Sequence, residues 1–140
     1  MIYYAVIDTN VIVSSMLKTD SIPGKILQLI KDDIIVPLVN EEIIDEYTNV
    51  LTRNKFDFDL QIIDESIGLI KAKGIFLNRE QSLEDFIDGD DIVFFEIVMS
   101  ARNTMDAYLV TGNMKHYPIR NYVVTPREMI DIIEKESGLS

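Results

Sequence analysis

The sequence of 140 residues contains no cysteine, a single histidine, and no apolar run long enough to cross a membrane. The missing cysteines exclude disulfides and thiolate metal sites. The first residues, MIYYAVID, lack both the basic region and the apolar core of a signal peptide. We also find no internal repeat and no low-complexity tract. We therefore expect one domain over residues 1–140, cytoplasmic and without a membrane anchor.

Basic residues are scarce, because 13 lysines and arginines stand against 24 aspartates and glutamates, a net charge of −11. Phosphates are bound largely by lysine and arginine, so this balance counts against a nucleic-acid partner. Two explanations reverse that argument: some carboxylates can hold metal ions, or the partner can be a basic protein. A solvated acidic surface without a binding role is the third explanation.

Short apolar segments alternate with segments of helical periodicity along the chain. Strands are predicted at residues 2–7, 34–36, 75–77, 107–110 and 122–124, with Pro37 closing the second strand. Helices are predicted at 11–17, 25–31, 40–52, 59–73, 91–102 and from Thr125 to a frayed tail after Glu136, with residues 21–24 breaking the pattern. This alternation predicts an α/β domain with a mainly parallel sheet flanked by helices.

Polar residues follow directly after two of the predicted strands. Asp8 and Asn10 come after the first strand, and Asn113 comes after the fourth. Because ligands of parallel sheets gather beyond the carboxyl ends of the strands, we expect a site there. Asp8 is equally well explained as the N-cap of the helix that follows it.

Two predicted helices each carry one carboxylate beside an apolar surface. Glu46 borders a stripe of apolar residues between Ile43 and Leu51, and it either enters a cleft or is a boundary glutamate with a solvated carboxylate. Asp91 opens a helix that is apolar nearly all round. A buried carboxylate needs a partner, either a metal ion or the backbone N–H groups at the helix start.

Carboxylates without a histidine cluster favour a hard cation, Mg²⁺ or Mn²⁺, over Zn²⁺. Such ions suit phosphoryl chemistry, whereas the absence of a P-loop gives no support for an NTPase of that type. His116 is interpreted as a surface or locally paired residue rather than a ligand. On the helical wheel, Glu96 lies roughly opposite Asp91, and Asp88 belongs to the acidic connection before it.

Five segments resemble those of PIN-domain proteins, in that family's order: YAVIDTNVIVSSML, EEIIDEYTNVL, DGDDIVFFEIVMSA, AYLVTGNMKHYP and VVTPREM. The similarity is to the branch that contains toxin components of toxin–antitoxin systems. It implies a PIN-like three-layer fold and Mg²⁺- or Mn²⁺-dependent cleavage of single-stranded or structured RNA. It also implies an antitoxin partner that fills the acidic cleft, often with a basic side chain, and a homodimer.

The resemblance places the family's three acidic positions at Asp8, Glu46 and Asp91. The family often has a fourth aspartate where this chain has Asn113, whose amide can orient a water but supplies no charge. The number of ions and the activity of the site are therefore left open. The supporting positions are Asn10, Thr111 and Asn113, and the further candidates are Asp88, Thr9 and Glu96.

Three functions are compatible with these residues, and we expect the first. It is a metal-dependent endoribonuclease, the toxin of a toxin–antitoxin pair. The second is a non-catalytic PIN module that binds RNA or a protein partner, which Asn113 and the acidic charge motivate. The third is a phosphatase or phosphoacceptor domain built on Asp8, but a haloacid-dehalogenase-like motif needs an aspartate where Asn10 stands, and no response-regulator pattern is found.

Overall fold

The computed structural model describes residues 1–81 and 89–138 of the chain. Within these ranges five strands form one sheet in the order β3-β2-β1-β4-β5, and all neighbouring strands are parallel. The strands are β1 (Tyr3–Ile7), β2 (Ile35–Val39), β3 (Ile75–Phe76), β4 (Ala107–Val110) and β5 (Val123–Val124). The helices are α1 (Thr9–Leu17), α2 (Ile22–Lys31), α3 (Glu41–Leu51), α4 (Leu60–Lys73), α5 (Ile92–Ala101) and α6 (Pro126–Ser137), with a short 3-10 helix at Met114–His116. The predicted α/β class is confirmed, and the sheet is entirely parallel.

The core lies around β1, the central strand, whose residues are buried except for a partly exposed Tyr4. Strands covered by helices are expected to be apolar throughout, as in the YYAVI sequence of β1. Helix α5 contacts β1, β2 and β4, which explains why its IVFFEIVMSA sequence is apolar nearly all round. Helix α3 packs against both α1 and α5, so it lies between the helices that begin at Thr9 and Ile92.

Strand β2 does not end at Pro37, as predicted, but continues to Val39. A proline can lie in a strand where its missing N–H is not needed by a neighbouring strand. The backbone of β2 alternates between β1 and β3, since Ile34 O accepts from Tyr3 N and Val39 O accepts from Leu77 N. Pro37 therefore faces the β3 side, where the pairing begins only at Leu38.

Helix α2 begins at Ile22, so the predicted break at residues 21–24 is wrong. Ser21 Oγ accepts from Gly24 N at 3.1 Å and caps the helix. Pro23 lies in the first turn, where a backbone N–H has no helical partner. Gly24 is required there because a Cβ would lie 2.0 Å from Thr19 O.

Helix termini otherwise follow the predicted capping residues closely. Asn40 caps α3, Gly74 is the C-cap of α4, and Thr125 and Glu128 form the capping box of α6, all as predicted. Asp59, which was predicted as the first residue of α4, is its N-cap. Helix α6 continues to Ser137, one residue into the predicted frayed tail, and residues 139–140 lie outside the described part. None of the helices in the described ranges has the length and hydropathy needed to span a membrane.

Candidate active site

Asp8 lies at the carboxyl end of β1, and only 4% of its surface is exposed. Its Oδ2 accepts hydrogen bonds from Thr111 Oγ1 at 2.8 Å, Tyr117 Oη at 3.0 Å and Asn10 Nδ2 at 3.4 Å. Asp8 occupies the predicted N-cap position of α1, but its side chain makes no capping hydrogen bond to that helix. The donors Thr111 and Tyr117 follow β4, and the third donor, Asn10, lies in α1.

Burial raises the pKa of the Asp8 carboxyl, although the hydrogen bonds from Thr111 and Tyr117 counteract this effect. All three hydrogen-bond donors to Oδ2 are uncharged side chains. Neutral donors orient a carboxylate but do not balance its charge, so a cation beside Asp8 would offset the cost of burial.

Asn10 and Thr111 connect the ends of β1 and β4. Asn10 Oδ1 accepts from Gly112 N at 3.0 Å, and Thr111 Oγ1 accepts from Asn113 N at 2.9 Å while it donates to Asp8. A Cβ at Gly112 would lie 3.3 Å from Asn10 Oδ1, so a side chain there would crowd the connection. The arrangement holds the loop that carries the exposed Asn113 beside the buried carboxylate.

Helix α3 is fixed directly against the end of β1. Its buried residues are Ile43, Ile44, Tyr47, Val50 and Leu51, the apolar stripe that the sequence predicts. Tyr47 Oη donates to the carbonyl oxygen of Ile7, the residue before Asp8. Glu46, next to Tyr47, is half-buried at the edge of this stripe.

The carboxylate of Glu46 lies within the electrostatic range of several other acids. Burial raises its pKa most, and the negative charges of Asp90, Asp91 and Asp8 raise it further, while Arg53 lowers it. Such mutual repulsion among carboxylates favours either protonation or a bound cation.

Asp91 precedes α5 at the N-cap position but makes no side-chain capping bond to the helix. Its Oδ2 lies 3.0 Å from Nδ1 of His116, which is 49% exposed in the 3-10 helix. The sequence interpretation of His116 as a surface or locally paired residue did not place it at the site. The sequence did place His116 in the AYLVTGNMKHYP segment, close to Asn113. Spacing alone could not show that it contacts Asp91, which lies 25 positions away.

These side chains surround one cleft of about 320 Å³. A larger groove of about 580 Å³ beside α2 contains a single carboxylate, Asp20, so volume alone does not mark the site. The lining of the smaller cleft includes Asp8, Thr9, Asn10, Glu46, Phe56, Asp91, Asn113 and His116. Thr111 is fully buried behind Asp8, and the candidate Asp88 lies outside the described residues.

Glu96 belongs to a separate ionic cluster and does not line the cleft. Its carboxylate is buried, and Arg79 donates to it through Nε at 2.6 Å. The same guanidinium binds Glu42 Oε2 at 2.7 Å, which ties α3 to α5. The structure therefore does not bring Glu96 to the other candidate residues.

The carboxylate and amide oxygens of the cleft suit a hard divalent cation, although the side chains do not converge on a single point. In residues 1–81 and 89–138, no three acidic or histidine side chains converge closely enough to hold an ion as they stand. Carboxylate oxygens are nevertheless the ligands that Mg²⁺ and Mn²⁺ prefer. Thr9 Oγ1 is buried at the cleft and has no hydrogen-bond partner within the same ranges. An ion or its water would satisfy that oxygen after small side-chain rotations.

Comparisons with known proteins agree with the family that the sequence motifs resemble. The sequence model of a family described as PIN domain matches residues 4–115, most of the chain. An uncharacterized protein of Methanocaldococcus jannaschii is 28% identical over 145 residues, which cover 93% of this chain and 91% of that protein. The residues matched by the family model include Asp8, Glu46 and Asp91.

Proposed function

The chain belongs to the PIN-domain family, and on this premise we propose that it is a Mg²⁺- or Mn²⁺-dependent endoribonuclease that cleaves RNA phosphodiester bonds. Proteins of this family are in general nucleases, which supplies the class of reaction. The relative from Methanocaldococcus jannaschii is uncharacterized and adds no information on the substrate.

One observation carries the proposal. Asp8, Glu46 and Asp91 come from three different elements, and all three line the same cleft at one end of the parallel sheet. Asp8 is buried among uncharged donors, so its charge is not neutralised by an arginine or lysine ion pair within the described residues. Such an arrangement is costly without a cation and therefore favours metal binding.

The residues take distinct roles in the proposed reaction. Asp8 and Asp91 would hold the ion, and Glu46 would hold the ion or a water molecule. A divalent ion bound there would polarise the phosphodiester and lower the pKa of water. Thr111 and Tyr117 hold the Asp8 carboxylate in orientation, and Asn113 orients water through its amide.

We further propose that the enzyme is the toxin of a toxin–antitoxin pair and acts in the cytoplasm. The acidic cleft favours an antitoxin segment with a basic side chain, because such a group would compensate the carboxylates that otherwise bind the ion. A protein of this kind would bind an RNA substrate and the antitoxin at the same surface.

The substitution Asp91→Asn tests the proposed function. We expect it to abolish Mg²⁺-dependent RNA cleavage and to leave the circular dichroism spectrum unchanged, because Asp91 makes no capping bond to α5. Asp106→Asn is the matched control, since Asp106 is exposed and pairs with Arg102 outside the cleft. Cleavage by Asp91→Asn at the rate of the wild type would refute the assignment.

A non-catalytic PIN module is the second candidate, and two observations favour it. Asn113 removes a negative charge from the cleft, and the described acids do not converge on one point. Titration with Mn²⁺, followed by calorimetry, distinguishes the two candidates. The enzyme should bind Mn²⁺ at millimolar concentration or below, whereas a module that neither binds the ion nor cleaves RNA supports the second.

A further inference from the structure

Two basic residues, Arg53 and Lys55, lie close in sequence to an aromatic residue of the acidic cleft. Residues 53–58, RNKFDF, follow Thr52, the C-cap of α3, and we call them the rim segment. Phe56 of this segment lines the cleft together with Glu46 and Asp91. A chain of net charge −11 therefore has two basic residues, Arg53 and Lys55, within three positions of an aromatic ring in the candidate active site.

The two phenylalanines of the rim segment form a stacked pair. The rings of Phe56 and Phe58 are 5.3 Å apart between centroids and inclined by 9°. Both side chains are partly buried and pack against the core, so their positions are fixed. Lys55 Nζ lies 5.0 Å from the centroid of Phe56, a cation–π contact made by an exposed and flexible side chain.

The cations of the rim segment remain available to bind a ligand. In the described part of the chain, Lys25, Lys73, Arg79 and Arg102 form ion pairs with carboxylates, whereas Arg53 and Lys55 form none. Arg53 lies close enough to Glu46 to lower the pKa of its carboxyl. The positive charge is thus adjacent to the acids but is not neutralised by them.

We propose that the rim segment is a nucleobase subsite for single-stranded RNA. One base stacks on Phe56, whose ring is stacked with that of Phe58, and takes the place of the Lys55 ammonium. Lys55 and Arg53 then bind the phosphates that adjoin that base. This subsite rests on the proposed function, because it positions the strand beside the acids of the cleft.

Single strands fit this surface better than duplexes. Bases of a duplex already stack on their neighbours, whereas the bases of a single strand expose faces that aromatic side chains can bind. Stacking on a ring is tolerant of base identity because every base has a π face. The subsite would therefore hold the strand without selecting a sequence.

Binding without cleavage tests the aromatic part of the proposal. Fluorescence anisotropy with a labelled single-stranded RNA in EDTA measures affinity independently of any metal-dependent reaction. Phe56→Leu keeps an apolar side chain against the core and should weaken binding about tenfold. Phe76→Leu is the matched control, because Phe76 is 45% exposed on β3 and does not line the cleft. Thermal melting of each variant verifies that it folds.

Salt dependence tests the two cations. The double variant Arg53→Gln, Lys55→Gln should reduce the slope of log affinity against log salt by about 1.4, since each phosphate contact on a single strand contributes about 0.7. The control is Lys71→Gln, Lys135→Gln, two exposed lysines on α4 and α6 that also lack ion pairs in the described ranges. We expect the control slope to match that of the wild type.

The outcomes separate this inference from the proposed function. An RNA cleavage activity that needs Asp91, combined with unchanged binding by Phe56→Leu and by the double variant, would overturn the subsite and leave the enzyme assignment intact. Equal weakening of single-stranded and duplex RNA by Phe56→Leu would also overturn it, since a paired base cannot stack on the ring. Selective weakening for the single strand supports it even where no cleavage is detected.

Discussion

Asp8 and Glu96 are both buried carboxylates, each about 4% exposed, but they lie in different regions and have different partners. Glu96, within α5, receives the guanidinium of Arg79, whose other end binds Glu42. Asp8, at the end of β1, receives hydrogen bonds from a threonine, a tyrosine and an asparagine. One charge is balanced by the protein, and the other is only oriented by it.

This difference separates a structural carboxylate from a functional one. In the pair of Glu96 with Arg79 the two charges balance each other, so removing either partner would leave the other uncompensated. A buried carboxylate among neutral donors keeps an uncompensated charge, which destabilises the folded protein. A metal ion or a basic side chain that binds there can offset this free-energy cost. Burial alone therefore does not identify a site, but burial together with uncharged partners does.

The largest expected effect is on catalysis. Asp8→Asn should reduce metal-dependent RNA cleavage by more than about 100-fold, because even outer partners of metal ligands cost 10–100-fold. Glu96→Gln should retain cleavage within about threefold of the wild type, since Glu96 lies outside the cleft. Initial rates with one RNA substrate measure both variants. Similar losses in the two variants would remove the distinction between these carboxylates.

Stability should respond in the opposite order. Glu96→Gln weakens a buried ion pair and should lower the free energy of unfolding by about 2 kcal/mol. Asp8→Asn should lower it by less than about 1 kcal/mol in EDTA, because the substitution also removes a buried charge. Urea unfolding measures both values, with Asp106→Asn as an exposed control. A larger loss for Asp8→Asn than for Glu96→Gln would contradict the comparison.

The smallest effect is a pH dependence of stability in the absence of metal. The pKa of Asp8 is raised in the folded state, so the folded chain binds this proton more readily than the unfolded chain does. Stability of the wild type relative to Asp8→Asn should therefore increase as the pH falls from neutral towards the ordinary pKa of an aspartate, about 3.9. Melting temperatures in EDTA across this range test the sign. A relative decrease on acidification would mean that the carboxylate is stabilised in its charged form.

Local sequence signals predict most of the helices and strands. They fail at the end of β2, which depends on how the strands pair in the sheet. Asn40, Asp59 and Thr125 are capping residues whose effect is contained in a few neighbouring positions. Pro37 was predicted to end a strand, but whether its nitrogen needs a partner depends on where β3 begins. That information lies in the pairing of distant segments and not in the sequence near Pro37.

The acids of the candidate site can be identified from the sequence, but some of their contacts cannot. Asp8 stands out because it follows an apolar strand, and Asp91 stands out because it opens an apolar helix. Glu46 was placed largely by resemblance to the family. The contacts of His116 with Asp91 and of Tyr117 with Asp8 join residues 25 and 109 positions apart. No periodicity reports such contacts, so these two partners could only be found in the structure, whereas the resemblance had already named Asn10 and Thr111 as supporting positions.

The strands at the two edges of the sheet, β3 and β5, have only two residues each. An edge this short offers few backbone groups to a strand of another molecule, which protects the sheet against open-ended association. The homodimer that the family resemblance implies would therefore have to form through helices. Helix α4 exposes Leu60 and Ile62, and such an apolar helical face can bind a second copy of the chain. The sheet edges of such a dimer would not bind a third copy.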